Sequence, residues 1–423
     1  MVPKKYKIHR IQAREIISSA ARPTIETTVT LGDRRSASVS VPFGASTGKR
    51  EATTLLDRDK KRYLGTGMLK AMHHVNEILS AELKGMDVRK QQEIDQHMLR
   101  LDRTPNKRRL GGNTILSVSL ATARAAALAL DIPLYKYLRT TYNVRDKHYK
   151  LPKPLMVMIE GGEHADNSTD IQEYLIAPMH HTSVHESVRI CLEVYAHLKT
   201  ILQKHKLSTN VGNEGAYAPA GITSNTKPFE LIIEAIRKAG YKFNKDMRIG
   251  IDSASSQWYN AKKYYLKREK KYFTSQKLIE RYQTWVERYK LFYIEDGLAE
   301  TDWNYWTLLN MRLGNKTMIV GDDLTVTNLE LLRYAIDVNA INAVIIKPNQ
   351  IGTLTQTMEA IQYAHEHRIE TIVSHRGGGE TNDTFIVDLA CAVNAAFLKV
   401  GPSRGERVEK YNRLLAIEQE IRR

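Results

Sequence analysis

Ionisable residues end a series of short apolar runs in the second half of the chain. The runs MRIGID, LFYIE, TMIVGD, AVIIK, TIVSHR and FLK end at Asp252, Glu295, Asp322, Lys347, the pair His375 and Arg376, and Lys399. Apolar runs of this length, alternating with amphipathic segments, are typical of successive βα units. In a closed parallel barrel the carboxyl ends of the strands meet at one face. We therefore predict that these side chains converge on one cavity.

Three of these positions, Asp252, Glu295 and Asp322, are carboxylates. Anions held close together repel and raise one another's pKa values unless a cation lies among them. Oxygen donors without clustered Cys or His favour Mg²⁺, which leaves positions free for substrate oxygens. Each acid alone would serve equally as a salt-bridge partner or helix N-cap, but three at strand ends favour a metal site.

Two lysines, Lys347 and Lys399, end later runs and are predicted to share the same mouth. A lysine beside a divalent cation and a second ammonium is expected to have a lowered pKa, which suits a general base. One lysine would then take a proton while the other pairs with a substrate carboxylate. The alternative is that both form ion pairs with the acidic residues.

The segments around these runs predict two domains. Residues 1–140 begin with alternating stretches, TIETTVTL and SASVSV, and continue with a helical period, which indicates an α+β domain. Residues 141–153 are a polar linker leading into the first barrel strand, and residues 154–423 are the β/α barrel. An open doubly wound sheet is the alternative, but no Gly-rich dinucleotide fingerprint follows the first strand.

Composition favours a globular enzyme, since 42% of the 423 residues are hydrophobic and 26% are charged. Cys191 and Cys391 lie apart in apolar helical patterns, which predicts buried thiols in a reducing compartment. The charged amino terminus has no signal-peptide pattern, and the apolar stretch 116–130 contains Arg124 and is too short to span a membrane. We expect a cytoplasmic protein without a membrane span.

A net charge of +16 is the least ordinary property of the chain. Such a charge would also suit nucleic-acid contact, but the basic runs are dispersed and no nucleic-acid-binding motif accompanies them. We interpret the excess as solvated surface that helps to steer an anionic substrate.

The motifs resemble those of the enolase family from about residue 11 to the carboxyl terminus, and they occur in the family's order. The matching segments are VPFGASTGKREA, EGGEHADNSTDIQEYLIAP, VGNEGAYAP, FYIEDGL, IVGDDLTVTN, VIIKPNQIGTLTQT, TIVSHRGGGETND and, approximately, KVGPSRGERVEKYN. The resemblance implies an enolase-type β/α barrel preceded by a smaller α+β domain. It also implies the glycolytic and gluconeogenic reaction of the family, the Mg-dependent dehydration of 2-phosphoglycerate to phosphoenolpyruvate, in a homodimer or a ring of dimers.

The resemblance also implies a role for each site residue. A first Mg²⁺ would be held by Asp252, Glu295 and Asp322, and a second, bridging to the phosphate, by Ser46. Lys347 would be the base, Lys399 would neutralise the substrate carboxylate, and Glu214, supported by Glu173, would protonate the leaving hydroxyl; His375, Arg376, His164 and Gln172 would contact the substrate.

The chain departs from the family pattern close to the supposed site. SSAARPT stands for the usual DSRGNPT at residues 18–24, Phe43 replaces a Ser, and Gly377, in a run with one extra Gly, replaces the Ser after SHR. None of these changes touches the residues assigned to metal binding or proton transfer. We therefore expect activity, with a weaker KM where phosphate contacts are lost.

Two other functions remain open from the sequence. A superfamily relative acting on a sugar acid is disfavoured because HADN, GASTG and SHRGGGE resemble enolase itself. A catalytically weakened enolase-like protein that binds RNA or another polyanion is the alternative from a different class. Lys347→Ala separates the two classes, since turnover would vanish while polyanion binding would survive.

Overall fold

A small antiparallel sheet begins the chain in the computed structural model, which describes residues 2–44, 50–146, 148–180 and 183–422. A 3₁₀ turn (Lys4–Tyr6) leads into β1 (Ile8–Ile17), β2 (Pro23–Leu31) and β3 (Ser36–Ser40), which pair in that order. Alternate residues of β2 are buried, as expected for a sheet with one face on a core. The predicted amino-terminal sheet is confirmed.

A cluster of helices covers this sheet. It contains a 3₁₀ turn (Tyr63–Gly65), α1 (Leu69–His73), a π-helical turn (His74–Leu79), α2 (Ser80–Leu83), α3 (Gln91–Asp102), α4 (Gly112–Leu130) and α5 (Leu134–Thr141). Helix α4 is long and apolar enough to cross a membrane, but 83% of its apolar window is buried inside the protein. It packs on β2 and β3 and forms the centre of the amino-terminal core.

Eight strands form a closed barrel, and three short strands form a separate sheet beside it. The barrel strands are β4 (Lys153–Glu160), β5 (Glu173–Pro178), β6 (Met247–Asp252), β10 (Tyr293–Glu295), β11 (Met318–Gly321), β12 (Ala343–Ile346), β13 (Glu370–Ser374) and β14 (Phe397–Lys399); the separate sheet is β7 (Tyr259–Asn260), β8 (Lys263–Leu266) and β9 (Lys271–Phe273). The order around the barrel is β10-β11-β12-β13-β14-β4-β5-β6.

The expectation of a wholly parallel barrel was wrong at one strand. Strand β5 runs antiparallel to both neighbours, β4 and β6, whereas every other neighbouring pair is parallel. The first residue of β5 therefore lies at the face where the other strands end. The predicted fold class, a β/α barrel behind a smaller α+β domain, is confirmed.

Amphipathic helices surround the barrel. They are α6 (Val184–Lys204), α7 (Lys227–Lys238), α8 (Ser275–Tyr289), α9 (Trp303–Leu313), α10 (Leu329–Asp337), α11 (Pro348–Ile351), α12 (Leu354–Glu366), α13 (Phe385–Ala392) and α14 (Gly405–Arg422), with 3₁₀ turns at Gly162–His164 and Ser255–Trp258. Ser183 caps α6 by accepting the Glu186 backbone N–H at 3.1 Å, which fixes the start of that helix. Cys191 in α6 and Cys391 in α13 are free and buried, as predicted.

Candidate active site

Four carboxylates occupy one row across four neighbouring strands at the mouth of the barrel. In the register, Glu160 lies opposite Glu173, Glu173 opposite Asp252, and Asp252 opposite Glu295. Residues that face each other in register point to the same side of a sheet. The antiparallel direction of β5 is what adds Glu173 to this row.

Lys399, at the end of β14, supplies the positive charge for part of this row. Its Nζ lies 2.9 Å from Glu173 Oε2, 2.9 Å from Asp252 Oδ2 and 2.7 Å from Glu295 Oε2. Burial lowers the pKa of Lys399, but the three carboxylates outweigh burial and the net direction is strongly upward. Burial and Asp252 together raise the pKa of Glu295 well above its usual range. One ammonium is thus shared among three acids.

Lys347 follows β12 and pairs with Asp322, which follows β11. The Lys347 Nζ contacts Asp322 Oδ2, and Gln350 Nε2 donates to the other carboxylate oxygen at 2.8 Å. Burial alone would lower the pKa of Lys347, but Asp322 raises it above the ordinary value. This contact is the ion pair with an acidic residue that the sequence left open as the alternative, and the lowered pKa expected beside a divalent cation stays a prediction.

The acidic side chains around these lysines suit a divalent cation. Among the described residues, Asp296, Asp322 and Asp323 bring carboxylate oxygens within 4.8 Å of one another; of the predicted ligands Asp252, Glu295 and Asp322, only Asp322 belongs to this group. Burial and Asp323 raise the pKa of Asp296 well above its usual range, and burial and Asp322 raise that of Asp323 to about 7. Such raised values mark carboxylates with too little positive charge nearby.

A second group joins two histidines to two glutamates. His164 Nδ1 lies 3.3 Å from Glu173 Oε1 and 3.6 Å from Glu214 Oε1, and His375 Nε2 lies 3.1 Å from Glu214 Oε2. Glu173 also contacts Lys399, so it joins this group to the lysine side of the cavity. Glu160 accepts the backbone N–H groups of Glu214 at 3.1 Å and Ala216 at 2.7 Å, which fixes the loop carrying Glu214.

Burial and neighbouring charges shift the pKa values of this second group in opposite directions. Burial lowers the pKa of His164, but hydrogen bonding to Glu173 and the charge of Glu214 bring it to about 9. Burial and Glu214 raise the pKa of Glu160 to about 8. Burial raises the pKa of Glu214 as well, but His375 and His164 outweigh burial and hold it well below its usual range. These shifts favour the charged form of His164 and the neutral form of Glu160.

Arg376 and Gln172 complete the described site. Arg376 Nη1 donates to Glu51 Oε2 at 3.0 Å, and its backbone N–H donates to Glu380 at 2.9 Å. Gln172 receives a hydrogen bond from Gln257 at 2.8 Å and lies at the edge of hydrogen-bond distance, 3.5 Å, from Asp252. Ser46, the predicted ligand of a second Mg²⁺, lies outside the described residues.

The departures from the family pattern lie against one another. The backbone N–H of Phe43 donates to the Gly379 carbonyl at 2.7 Å, and the Arg22 guanidinium lies over the Phe43 ring, 5.6 Å from its centroid. A Cβ added at Gly377 would lie 2.8 Å from Glu214 Oε1 and 2.9 Å from the His164 ring. The missing side chain at Gly377 thus makes room for His164 at this position.

These residues meet at one cavity of about 570 Å³. Its lining includes His164, Gln172, Glu173, Glu214, Asp252, Asp322, Lys347, His375, Arg376 and Lys399, and Glu295 lies directly beneath Lys399. The sequence prediction missed Glu51, Asp296 and Asp323, which line the same cavity, and the fully buried Glu160. The sequence pattern could have indicated three of these four residues. Glu160 ends the apolar run MVMIE, and Asp296 and Asp323 directly follow the predicted ligands Glu295 and Asp322.

Comparison with protein-family models gives two matches that together span nearly the whole chain. Residues 8–138 match the model described as "Enolase, N-terminal domain". Residues 148–423 match the model described as "Enolase, C-terminal TIM barrel domain". The matched segments correspond to the sheet and helix cluster and to the barrel.

Proposed function

The chain belongs to the enolase family, and from this premise we propose that it catalyses the reversible, Mg-dependent dehydration of 2-phosphoglycerate to phosphoenolpyruvate. One observation carries the proposal. Two lysines among carboxylates, buried Lys399 and partly buried Lys347, line the same cavity as a histidine–glutamate group, and Glu173 contacts both Lys399 and His164. A base and a source of protons within one cavity suit the removal of a proton and a hydroxyl from adjacent carbons.

Lys347 is the group that takes the proton from C2 in this proposal. It can do so only as a neutral amine, so its ion pair with Asp322 has to loosen when substrate binds. Asp252, Glu295 and Asp322 would hold Mg²⁺, whose positive charge would stabilise the negative charge that develops beside the substrate carboxylate. Lys399, held by three acids, stays protonated and neutralises that carboxylate from the other side.

Glu214 delivers the proton with which the C3 hydroxyl leaves as water. In this proposal Glu214 takes up that proton beforehand, and His164, whose Nδ1 lies 3.6 Å from Glu214 Oε1, is the neighbouring group that would supply it. The electron pair of the broken C2–H bond then forms the C2–C3 double bond as the C3–O bond breaks. Arg376 and His375 line the cavity and would contact the phosphate and hydroxyl end of the substrate.

The direct test adds 2-phosphoglycerate and Mg²⁺ to the purified protein and follows the ultraviolet absorbance of the enol phosphate. We expect absorbance to rise, to stop when a chelator is added, and to stay flat for Lys347→Ala. A flat trace at high concentration of the wild-type protein, with a sugar acid consumed instead, would favour another reaction of the superfamily.

Assembly, location and the second metal stay proposals. We infer a homodimer or a ring of dimers, a cytoplasmic location, and a second Mg²⁺ near Ser46 that bridges to the substrate phosphate. Light scattering of the purified protein measures the first, and a titration showing only one Mg²⁺ per chain with substrate bound would argue against the last.

A further inference from the structure

The separate sheet of β7, β8 and β9 presents an unusual outward face. We propose that this face binds single-stranded nucleic acid. The face is defined by Tyr265, Tyr272, Lys262, Lys263, Lys267 and Lys270, all of which are exposed. It lies outside the cavity of the proposed lyase reaction and does not depend on that proposal.

The inner side of this sheet is firmly anchored. Tyr264 and Leu266 are fully buried beneath it, and the Tyr264 hydroxyl donates to Asp302 at 2.8 Å and accepts the Ala299 backbone N–H at 3.0 Å. Successive residues of a strand point to opposite faces, so Lys263 and Tyr265 on the same strand point outward. The outer face is therefore held in a fixed orientation toward solvent.

Two tyrosines on this outer face are stacked and exposed. Tyr265 pairs with Tyr272 in the strand register, and their ring centroids lie 4.5 Å apart with an interplanar angle of 30°. Tyr272 is 69% exposed and Tyr265 is 38% exposed. Because Tyr272 remains largely exposed while stacked on Tyr265, an aromatic surface stays open, and unpaired bases stack on such surfaces.

Four lysines surround the rings without acidic partners. No ion pair with any described residue is formed by Lys262, Lys263, Lys267 or Lys270. The single acid of the segment, Glu269, is turned away and is held by Arg281 and by the Asn225 backbone N–H at 3.1 Å. The face is thus positively charged and suits a phosphate backbone.

The stacked rings and the lysines together indicate which class of ligand fits this face. An acidic peptide would use the lysines and leave the rings without a role. Duplex nucleic acid hides the faces of its bases. A single strand uses both features, because its phosphates contact the lysines while a base stacks on the open face of Tyr272.

The test measures fluorescence anisotropy of labelled fifteen-nucleotide oligo(U) and oligo(dT), with an abasic strand of equal length as the probe without bases. We expect at least one base-containing strand to bind more tightly than the abasic strand. Tyr272→Ala should weaken binding by about tenfold, and Tyr272→Phe should retain it.

Charge is tested with two matched triple variants. K262Q/K263Q/K267Q should lower the slope of log affinity against log salt by about 2, because each lysine contributes roughly 0.7 on single strands. K60Q/K61Q/K84Q removes the same charge from exposed lysines elsewhere and should leave the slope nearly unchanged. Melting temperatures of all variants show whether each one is folded.

Four results would overturn the proposal. The first is that neither oligonucleotide binds at low salt, and the second is that the abasic strand or polyglutamate binds as tightly as a base-containing strand. The third is that folded Tyr272→Ala binds with unchanged affinity. The fourth is that the two triple variants lower the salt slope equally.

Discussion

Lys107 is buried outside the active-site cavity and takes no part in the ion pairs there. It is 2% exposed, and its stem lies under the turn at Gly352, where an added Cβ would come 2.7 Å from Lys107 Cδ. Burial lowers the pKa of Lys107 to about 8, with Asp102 opposing the shift. A folded-state pKa below the ordinary value means that the charged form destabilises the fold.

Lys107→Met should therefore stabilise the protein in a pH-dependent way. The penalty of the charged lysine is fully present below pH 8 and disappears as pH rises from 8 toward the ordinary lysine pKa of 10.5. We expect the melting temperature of the variant to exceed that of the wild type by about 2 °C at pH 7, and the gap to close near pH 10. A gap that is constant with pH, or of opposite sign at pH 7, would contradict this account.

In the Gly-rich loop after β13, the absence of a side chain at Gly377 lets the loop lie close to its neighbours. Gly377 lies against both His164 and Glu214, so even a Cβ there is closer than real Cβ contacts allow. Gly377→Ser restores the residue usual in the family and with it a hydroxyl for the phosphate, but we expect the displacement of His164 to outweigh this gain and to lower kcat/KM for 2-phosphoglycerate by about tenfold.

Gly405→Ala is the matched control for this loop variant. Gly405 lies at the start of α14, where an added Cβ meets nothing within 4 Å, so its kcat/KM should stay near that of the wild type. If Gly377→Ser were as active as the wild type or more so, the loop would have room that the structure does not show.

The strand ends explain how much of the site the sequence could predict. Asp252, Glu295 and Lys399 end apolar runs, and the chain pattern alone places such residues at one face of a barrel. The direction of β5 could not be predicted, because EYLIAP is equally suited to either direction. The ion pair between Lys347 and Asp322 was open only as an alternative, because which acid each lysine contacts depends on side-chain positions across strands.

On the scale of the whole molecule, the ion pair between Arg124 and Asp383 is one of the charged contacts that join the amino-terminal domain to the barrel. Arg124 of α4 donates to both carboxylate oxygens of Asp383, at 2.8 Å and 2.9 Å, and the same acid accepts the Ser40 backbone N–H at 3.0 Å. This contact accounts for an arginine within an otherwise apolar helix. The sequence shows the arginine but not its partner, which lies 259 positions along the chain.

Asp383→Asn should destabilise the protein, because it removes the charge of the carboxylate that binds both Nη atoms of the partly buried Arg124. We expect the free energy of unfolding to fall by about 2 kcal/mol, less than for a fully buried pair. Urea unfolding measures the change, and Asp337→Asn, at an exposed acid of α10, should have almost no effect. Equal midpoints for Asp383→Asn and the wild type would show that the contact does not hold the domains together.

The most direct test of the central claim separates the base from the source of protons. In D₂O with Mg²⁺ and 2-phosphoglycerate, nuclear magnetic resonance follows both deuterium at C2 and formation of phosphoenolpyruvate. We predict that Glu214→Gln incorporates deuterium at C2 while forming little product, and that Lys347→Ala does neither. Deuterium incorporation by Lys347→Ala at the wild-type rate would contradict the assignment of Lys347 as the base.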